Sequence, residues 1–378
     1  MIDELHYGDP ASVSMSAERL NIAREVARRW VASGETTGLV VLFSRRGVVF
    51  WEEAFGRQTP APDAPAMSAA ALFPLASVSK PIIAAAFMCI VEDGLVGLNR
   101  PVTAYLPEFI GDGKRAVTPL HLLTHTSGID DALLQSYVAD SDAGDDISQW
   151  VTARCGVPLG FSPGAKWSYS TFGYILLATI VERVTGQDFP TFLRERLLHP
   201  LGMNNSFLGL TSVPPERRAL RYWPEPPVGG YAGLLETGWP DDVYSVASTA
   251  WDTALFGNLF LQRGKANGHR VLAPATVDAM MRNHVTGLGL QFEDETWPAV
   301  SWGLGWHIRG EGIARREASL GSPRTIDHQG NGGAHLWIDP EAEMVGVVLS
   351  LLRQGAPGFY PGWRSDLLAN AVIAAMEE

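Results

Sequence analysis

The order of β-rich and helical segments along the chain constrains the fold more than any other feature of the sequence. A helical stripe from Ser16 to Gly34 is followed by GLVVLFSRRGVVFWEEAFG, two β-rich runs around Arg45–Gly47 that predict a hairpin. Strands return only from WGLGWHI onward, at AHLWID and MVGVVLSLL, before a last helix predicted over about 362–378. Strands at both ends of a chain indicate one sheet that the C-terminal strands complete.

The residues between these strands read mostly as helices that proline-rich loops separate. The predicted helices are Ile82–Asp93, Pro119–Leu123, Ile147–Ala153, Phe172–Thr185 and Phe189–Leu198. We therefore predict an α/β fold of the α+β type, in which N- and C-terminal helices flank a mainly antiparallel sheet that carries a large, mostly helical inserted domain. Residues 1–80 plus 245–378 form the predicted sheet domain and residues 81–244 the helical domain, with the functional site at their interface.

Charge and composition exclude several classes of partner. The 29 basic and 41 acidic residues give a net charge of −12, which repels nucleic acids and anionic membrane surfaces. The longest apolar run, Pro81–Val91, is shorter than the roughly 20 residues that a membrane-spanning helix needs. The N-terminus MIDELHYGDP lacks the apolar segment of a secretory signal, so a cytoplasmic location is predicted. The two cysteines, Cys89 and Cys155, are then predicted to be reduced core thiols.

The pentapeptide GFSPG at 160–164 matches the G-x-S-x-G pattern of many hydrolases, but it cannot supply the chemistry of that motif. In the nucleophile elbow the residue after the serine donates a backbone N–H to the oxyanion, and here that residue is Pro163, which has no N–H. The flanking residues also lack the strand and the long helix that such an elbow connects. We therefore predict a Pro-Gly turn rather than a nucleophile.

Two stretches match metal-binding patterns only weakly. HLLTH places His121 and His125 four residues apart, but it lacks the glutamate of H-E-x-x-H and an evident third ligand. DSDAGDDISQW lacks calcium ligands where such a loop needs them, at Gly144 and Val151. We predict a solvated acidic loop before a helix at Ile147, and neither a metal nor an organic cofactor.

The sequence SVSK at 77–80 stands at the front edge of an apolar helix. Pro81 favours the first turn of a helix, so a helix that begins near Ser77 puts Ser77 and Lys80 on one face. On its own, S-x-x-K is also a common helix cap. A lysine that acts as a base near neutral pH must have its pKa lowered from about 10.4 to about 7, a change of roughly 4.6 kcal/mol. A helix N-terminus supplies only about 0.3 to 2 kcal/mol, so burial beneath the apolar helix must supply the rest.

Three further stretches, taken with ASVSK, resemble the serine β-lactamase and penicillin-binding-protein-like superfamily. They are LLTHTSGI at 122–129, WSYSTFGYILLATIVERVTG at 167–186 and HQGNGG at 328–333, in the order typical of the branch that resembles class C β-lactamases and their related carboxylesterases. Shorter matches are HPLGM at 199–203 and WGLGW at 302–306. The resemblance spans about residues 38–352 and implies a β-lactamase/transpeptidase-like fold and a serine hydrolase that forms an acyl-enzyme.

The resemblance also implies a role for each matching side chain. Ser77 corresponds to the acylated nucleophile and Lys80 to its base. Tyr169 corresponds to the tyrosine of the Y-x-N motif, which relays a proton to the leaving group and helps to activate water for deacylation. In other proteins a tyrosine in such a setting is usually a core aromatic with a satisfied hydroxyl.

A third matching segment implies the oxyanion hole. His328 and Gly330 replace the K-T-G triplet of β-lactamases, as H-x-G does in many esterase-like members of the superfamily. The resemblance then implies that the backbone N–H groups of Ser77 and Asn331 form the oxyanion hole. One such donor is typically worth about 2.7 to 4 kcal/mol.

Two departures from the superfamily pattern bear on the substrate. Thr171 stands at the third position of Y-x-N and lacks the amide that would span Lys80 and the substrate. His328 stands where a lysine would carry a permanent positive charge, and a histidine is largely uncharged at neutral pH. Since a β-lactam needs a cation for its carboxylate, we predict a carboxylesterase that acts on small or medium acyl esters.

Other activities of the same fold stay open from the sequence. They are β-lactamase, D-amino-acid peptidase or amidase activity, and acyl transfer to an alcohol or amine. A non-catalytic binding module is disfavoured because Ser77, Lys80 and Tyr169 are all present. The predicted partner is a small-molecule ester, or an amide or lactam, with no nucleic acid and no membrane, and the sequence leaves the oligomeric state open.

Overall fold

The computed structural model describes residues 4–137, 147–209, 213–220, 245–292, 295–297, 299–310, 318–352 and 362–377. These residues divide into two compact units. The first comprises Met1–Ser79, Leu198–Val271 and Arg309–Glu378, and the second comprises Lys80–Leu197 and Leu272–Ile308. These units and the predicted domains both have a boundary near residue 80. Residues 198–244, predicted in the helical domain, belong to the first unit, and residues 272–308, predicted in the sheet domain, belong to the second.

The described strands and helices are numbered in chain order. The strands are β1 (His6–Tyr7), β2 (Thr36–Arg45), β3 (Val48–Gly56), β4 (Phe73–Pro74), β5 (Phe207–Leu208), β6 (Val246–Ser248), β7 (Lys265–Ala266), β8 (His269–Arg270), β9 (Leu290–Phe292), β10 (Glu295–Trp297), β11 (His307–Ile308), β12 (Ile326–Gly330), β13 (Ala334–Asp339) and β14 (Met344–Leu352). The helices are α1 (Ala17–Ala32), α2 (Ser79–Glu92), α3 (Pro119–Leu123), α4 (Asp131–Tyr137), α5 (Ile147–Cys155), α6 (Thr171–Thr185), α7 (Phe189–Leu193), α8 (His199–Leu201), α9 (Ala250–Leu261), α10 (Pro274–Met280) and α11 (Gly362–Ile373).

A mainly antiparallel sheet forms the centre of the first unit. Its strands follow the order β1–β3–β2–β14–β13–β12, so the C-terminal strands pair directly with the N-terminal hairpin. That hairpin turns at Arg46 and Gly47, which both have positive φ, 52° and 80°, as a two-residue turn between twisted strands requires. The predicted fold class, a mainly antiparallel sheet with N- and C-terminal helices, is confirmed.

Both faces of this sheet are covered within the first unit. Alternate residues of β14 separate the two sides: Val348 belongs to the apolar cluster that includes α1 and α11, whereas Val345 faces α9. Helix α9 approaches closely because Gly257 has no side chain, and a Cβ atom there would lie 2.6 Å from Val345 Cγ1. Strand pairing and helix packing therefore fix β12–β14 from both sides.

The second unit is built on buried helices. Residues 81–90 of α2 are all buried, and Tyr174 of α6 joins α6 to the end of α3 by donating its hydroxyl to Leu123 O over 2.9 Å. The backbone of Gly305 packs against α2 next to Tyr174. A Cβ atom at residue 305 would lie 2.7 Å from Ala84 Cβ of α2. The predicted helix over Phe172–Thr185 is confirmed as α6, with Ser170 as its N-cap.

Three smaller predictions have definite outcomes. Ala165 N–H donates to Ser162 O over 3.0 Å and Gly164 has φ 80°, so GFSPG forms the predicted turn. Cys89 and Cys155 are buried free thiols, and burial raises the pKa of each to about 12. The predicted helix at Ile147 is confirmed as α5, whereas the predicted acidic loop before it, residues 140–146, lies outside the described residues; helix α4 over Asp131–Tyr137 was not predicted.

Within the described residues, no helix combines the length and apolarity needed to cross a bilayer. The cytoplasmic location stays a prediction.

Candidate active site

The candidate nucleophile lies in a 3₁₀ turn that continues into α2. Ser77 is the central residue of the turn Ala76–Val78, and Ser79 N–H donates to the carbonyl groups of Ala76 and Ser77. Ala76 has φ 47°, a left-handed conformation that costs an L-residue energy and that recurs at functional sites. The prediction of a helix that begins near Ser77, with Pro81 in its first turn, is confirmed. Ser77 and Lys80 therefore stand three residues apart on one continuous helical path.

Strand β6 holds this turn by two hydrogen bonds, one on each side of Ser77. Leu75 N–H donates to Val246 O over 2.8 Å, and Val246 N–H donates to Ser79 Oγ over 2.8 Å. Because Ser79 Oγ accepts a buried backbone N–H, the second serine of SVSK anchors the turn. The sequence pattern did not show which of the two serines has this task.

Strand β12 lies directly against the same turn. A Cβ atom at Gly330 would lie 2.2 Å from Leu75 O, so only glycine permits this approach. His328 lies two residues earlier on β12 and hence on the same face. The backbone turns back after Asn331, where Gly333 N–H donates to Gly330 O over 3.1 Å. The first unit thus brings the H-x-G segment and Asn331 to the turn that carries the serine.

The side chain of His328 is buried, at 4% exposure. Its Nδ1 atom lies 2.9 Å from Gln329 O. Since a carbonyl oxygen can only accept, Nδ1 carries the proton of this hydrogen bond. The imidazole is therefore oriented by its own strand.

Lys80 lies in the second unit, beside two tyrosines. Its side chain is only 5% exposed, and its Nζ atom lies 4.8 Å from the ring centroid of Tyr169 and 5.9 Å from that of Tyr174. The predicted burial of this lysine is confirmed. Burial raises the pKa of Tyr174 well above its usual value, and the charge of Tyr169 acts in the same direction. The hydroxyl of Tyr174 is thus held protonated in its bond to Leu123 O, whereas the ring of Tyr169 lies nearer to Lys80 Nζ.

The imidazole ring of His125 packs against the ring of Tyr169, a contact that was not predicted from the sequence. The two rings lie 4.4 Å apart between centroids, and His125 Nδ1 accepts Ser170 N–H over 3.1 Å. The indole rings of Trp302 and Trp167 lie 5.0 and 5.6 Å from the imidazole. In the sequence analysis His125 was considered only as a weak candidate metal ligand. Its position within LLTHTSGI, a segment that resembles the family, could have indicated a role beside the site.

The other histidine of HLLTH has a different local task. His121 Nδ1 accepts Thr118 N–H over 3.2 Å, which caps the start of α3. Burial lowers the pKa of His121. Across the described ranges, no group of three or more His, Cys, Asp or Glu side chains has the arrangement of a metal site.

Thr171 is the first residue of α6, and its backbone contacts a carboxylate that the sequence did not indicate. Thr171 N–H donates to Asp131 Oδ2 over 2.6 Å, and Ser170 Oγ donates to Asp131 Oδ1 over 2.7 Å. Burial raises the pKa of the Asp131 carboxyl, while these hydrogen bonds and the charge on Lys80 act in the opposite direction. The second unit thus gathers Lys80, Tyr169, Thr171 and Asp131.

Fold and site define a class of protein, the serine hydrolases that share the β-lactamase and penicillin-binding-protein fold. The solved structure of EstCE1, described as a hydrolase with promiscuous acyltransferase activity, has the same fold with a TM-score of 0.75. It is 23% identical in sequence, and the match covers 94% of this chain and 98% of that one. The family model described as Beta-lactamase matches residues 23–371. The chain therefore belongs to the beta-lactamase family.

Two curated relatives are similar to this chain over different lengths. Esterase EstB of Burkholderia gladioli is 35% identical over 236 residues, which is 58% of this chain and 59% of the esterase. Penicillin-binding protein 4 of Amycolatopsis lactamdurans is 32% identical over 339 residues, or 83% of this chain and 80% of that protein. The match thus spans less than two thirds of the esterase and most of the penicillin-binding protein.

Proposed function

We propose that this protein is a carboxylesterase that hydrolyses small or medium acyl esters through an acyl-enzyme. Ser77 Oγ attacks the ester carbonyl carbon while Lys80 Nζ accepts the hydroxyl proton. The backbone N–H groups of Ser77 and Asn331 stabilise the oxyanion that forms. The C–O bond to the alcohol then breaks as Tyr169 donates its phenolic proton to the departing oxygen, and Tyr169 regains a proton from Lys80.

The second half of the reaction repeats these transfers with water. A water molecule attacks the acyl carbon, and one of its protons passes through Tyr169 to Lys80; the bond to Ser77 Oγ then breaks as Lys80 returns that proton to Ser77 Oγ. Ser77 regains its proton, and the carboxylic acid is released. The buried position of Lys80 against the Tyr169 ring supports this relay, because burial disfavours a charged amine and so favours a base.

The side chain at residue 328 is the observation that carries the choice of an ester. β-Lactamases hold the lactam carboxylate with a permanently charged lysine at the corresponding position, and here a buried imidazole donates from Nδ1 to Gln329 O. An ester of this kind carries no such carboxylate and needs no such cation. The similarity to esterase EstB supports the same choice.

Amide or lactam hydrolysis is the second candidate. The similarity to penicillin-binding protein 4 over 80% of its length favours this reading. Acyl transfer belongs to the same chemistry, since an alcohol in place of water would accept the acyl group from Ser77. It would appear as a second product when an alcohol is added to the assay.

Labelling with a fluorophosphonate probe tests the nucleophile. Ser77→Ala should abolish labelling and reduce ester turnover by at least about a thousandfold. Ser162→Ala is the matched control, because Ser162 is the exposed serine of the GFSPG turn and should keep both. Retained turnover in Ser77→Ala would refute the proposed function.

A comparison of p-nitrophenyl butyrate with nitrocefin tests the substrate class. We expect fast, Ser77-dependent ester cleavage and slow or absent nitrocefin turnover. Thr171→Asn and His328→Lys restore the β-lactamase residues, and we expect the combined variant to gain lactam hydrolysis relative to ester hydrolysis. Faster turnover of nitrocefin than of the ester by the unmodified protein would support the second candidate instead.

A further inference from the structure

Asp131 lies beside the proposed proton relay, although 38 positions separate it from Tyr169 in the sequence. Its carboxylate accepts hydrogen bonds from Ser170 Oγ, at 2.7 Å, and from Thr171 N–H, at 2.6 Å. One carboxylate therefore joins α4 to the segment that directly follows Tyr169.

The surroundings of Asp131 act on its ionisation in opposite directions. Burial is the largest effect and raises the pKa of the carboxyl, whereas its hydrogen bonds act against that rise. The N-terminus of α6 presents backbone N–H groups that have no acceptor within the helix, and the positive end of the helix dipole; one of these groups, Thr171 N–H, donates to Asp131. The charge on Lys80 acts on the same carboxyl and lowers its pKa, against the raising effect of burial. Hydrogen bonds to the charged form and a nearby cation both stabilise a carboxylate.

Within the part of the chain that the structure describes, three other titratable side chains lie near Lys80 and Asp131: His125, Tyr174 and Tyr169. His125 accepts Ser170 N–H at Nδ1, which is a contact of the neutral ring. Tyr174 donates its hydroxyl to Leu123 O and stays protonated. Tyr169 is the group that exchanges protons with Lys80 under the proposed function. Asp131 is thus a carboxyl group on which the charge of Lys80 acts.

We propose that Asp131 is a positioning residue for the Lys80–Tyr169 relay. Its carboxylate fixes the junction between Tyr169 and α6, and its negative charge stabilises the ammonium that forms when Lys80 accepts the proton of Ser77. Asp131 thereby takes over the task that the asparagine of Y-x-N performs towards the lysine, which Thr171 cannot perform. This inference rests on the proposed function, because it requires Ser77 and Lys80 to react together.

The test is the pH dependence of kcat/KM with p-nitrophenyl butyrate for Asp131→Asn. The amide oxygen of asparagine can still accept Thr171 N–H, so the shape is kept while the charge is lost. Because the negative charge favours the ammonium form of Lys80, its removal should move the acidic limb of the profile to lower pH by about one unit. The plateau value should also fall about tenfold or more, since the developing ammonium loses its counter-charge.

Asp130→Asn is the matched control. Asp130 Oδ1 accepts Ala132 N–H and Leu133 N–H at the start of α4, so this change removes an adjacent carboxylate with no bond to the Tyr169 segment. Its pH profile should coincide with that of the unmodified protein. Asp131→Ser, a smaller neutral acceptor, provides the same readout if Asp131→Asn does not fold.

The outcomes separate this inference from the proposed function. A folded Asp131→Asn or Asp131→Ser protein whose acidic limb coincides with that of the unmodified protein would show that Asp131 only supports the structure, and the inference would be wrong. Full ester turnover in Ser77→Ala would overturn the proposed function and this inference with it. Turnover that depends on Ser77, with a shifted limb in Asp131→Asn only, supports both.

Discussion

Replacement of Gly330 by alanine tests how tightly β12 must lie against the serine turn. The added Cβ atom would lie 2.2 Å from Leu75 O and 3.0 Å from Ala334 Cβ. An ordinary carbon-to-oxygen contact is about 3.3 Å, so the strand or the turn must move by about 1 Å. Neither yields easily, because Leu75 N–H is bonded to Val246 O and Gly330 is paired with Ala334 of β13.

This displacement falls on the groups that the proposed function uses. Leu75 lies two residues before Ser77, and Asn331 directly follows Gly330. A misplacement of about 1 Å in a catalytic arrangement can reduce the rate by about a hundredfold. We therefore expect Gly330→Ala to lose about two orders of magnitude in kcat/KM for p-nitrophenyl butyrate, and overpacking to lower the free energy of unfolding by about 1 to 3 kcal/mol.

The assay compares kcat/KM and urea denaturation with those of Gly156→Ala. A Cβ atom at Gly156 would meet no atom within 4 Å, so this control adds the same methyl group without a clash. Its kcat/KM should stay within about threefold of the unmodified protein. A folded Gly330→Ala protein that keeps the same rate would refute the reasoning, since the oxyanion donors would then tolerate the displacement of β12.

Two further predictions address single side chains. Asp188 caps α7 by accepting Thr191 N–H over 2.9 Å, and this bond lowers the pKa of its carboxyl. Asp188→Ala should therefore cost about 1 kcal/mol of unfolding free energy at pH 7. Because the pKa of the folded form lies below the usual 3.8, urea denaturation should show this difference shrinking as the pH falls below 3.8, whereas Asp188→Asn should show little effect. Tyr174→Phe removes the hydrogen bond to Leu123 O, so it should lower the free energy of unfolding by about 0.5 to 1.5 kcal/mol and keep ester turnover. Tyr169→Phe should lose ester turnover. Equal losses of turnover in the two variants would contradict a structural role for Tyr174 and a proton-transfer role for Tyr169.

Much of the fold could be predicted because its signals are local. The first helix was predicted to begin at Ser16, and the Ser16 side chain accepts Arg19 N–H over 3.4 Å at the start of α1. The hairpin could be predicted from its glycine at residue 47, and the sheet from the position of its strands at both ends of the chain. Helix α4 was missed because seven residues, DALLQSY, are too few to show a helical repeat against the acidic stretch that follows.

The site was predictable only in part, because some of its contacts join residues that are distant in sequence. The helical spacing of Ser77 and Lys80 is local, and it could be read directly. The left-handed conformation of Ala76 could not, since alanine gives no sign of it. The contact between His125 and Ser170 spans 45 positions, and a propensity or a pattern does not show such a pairing.

The two departures from the family pattern have different consequences. At residue 171 the family pattern has an amide that contacts the lysine, and under the inference above the Asp131 carboxylate, which accepts Thr171 N–H, takes that place. At residue 328 the missing charge lies on β12 in the other compact unit, and there the imidazole is held by the carbonyl of Gln329. The first change preserves the proton relay that an ester also requires. The second removes an attraction that only an anionic substrate uses, so under the proposed function residue 328, rather than residue 171, distinguishes an ester from a lactam.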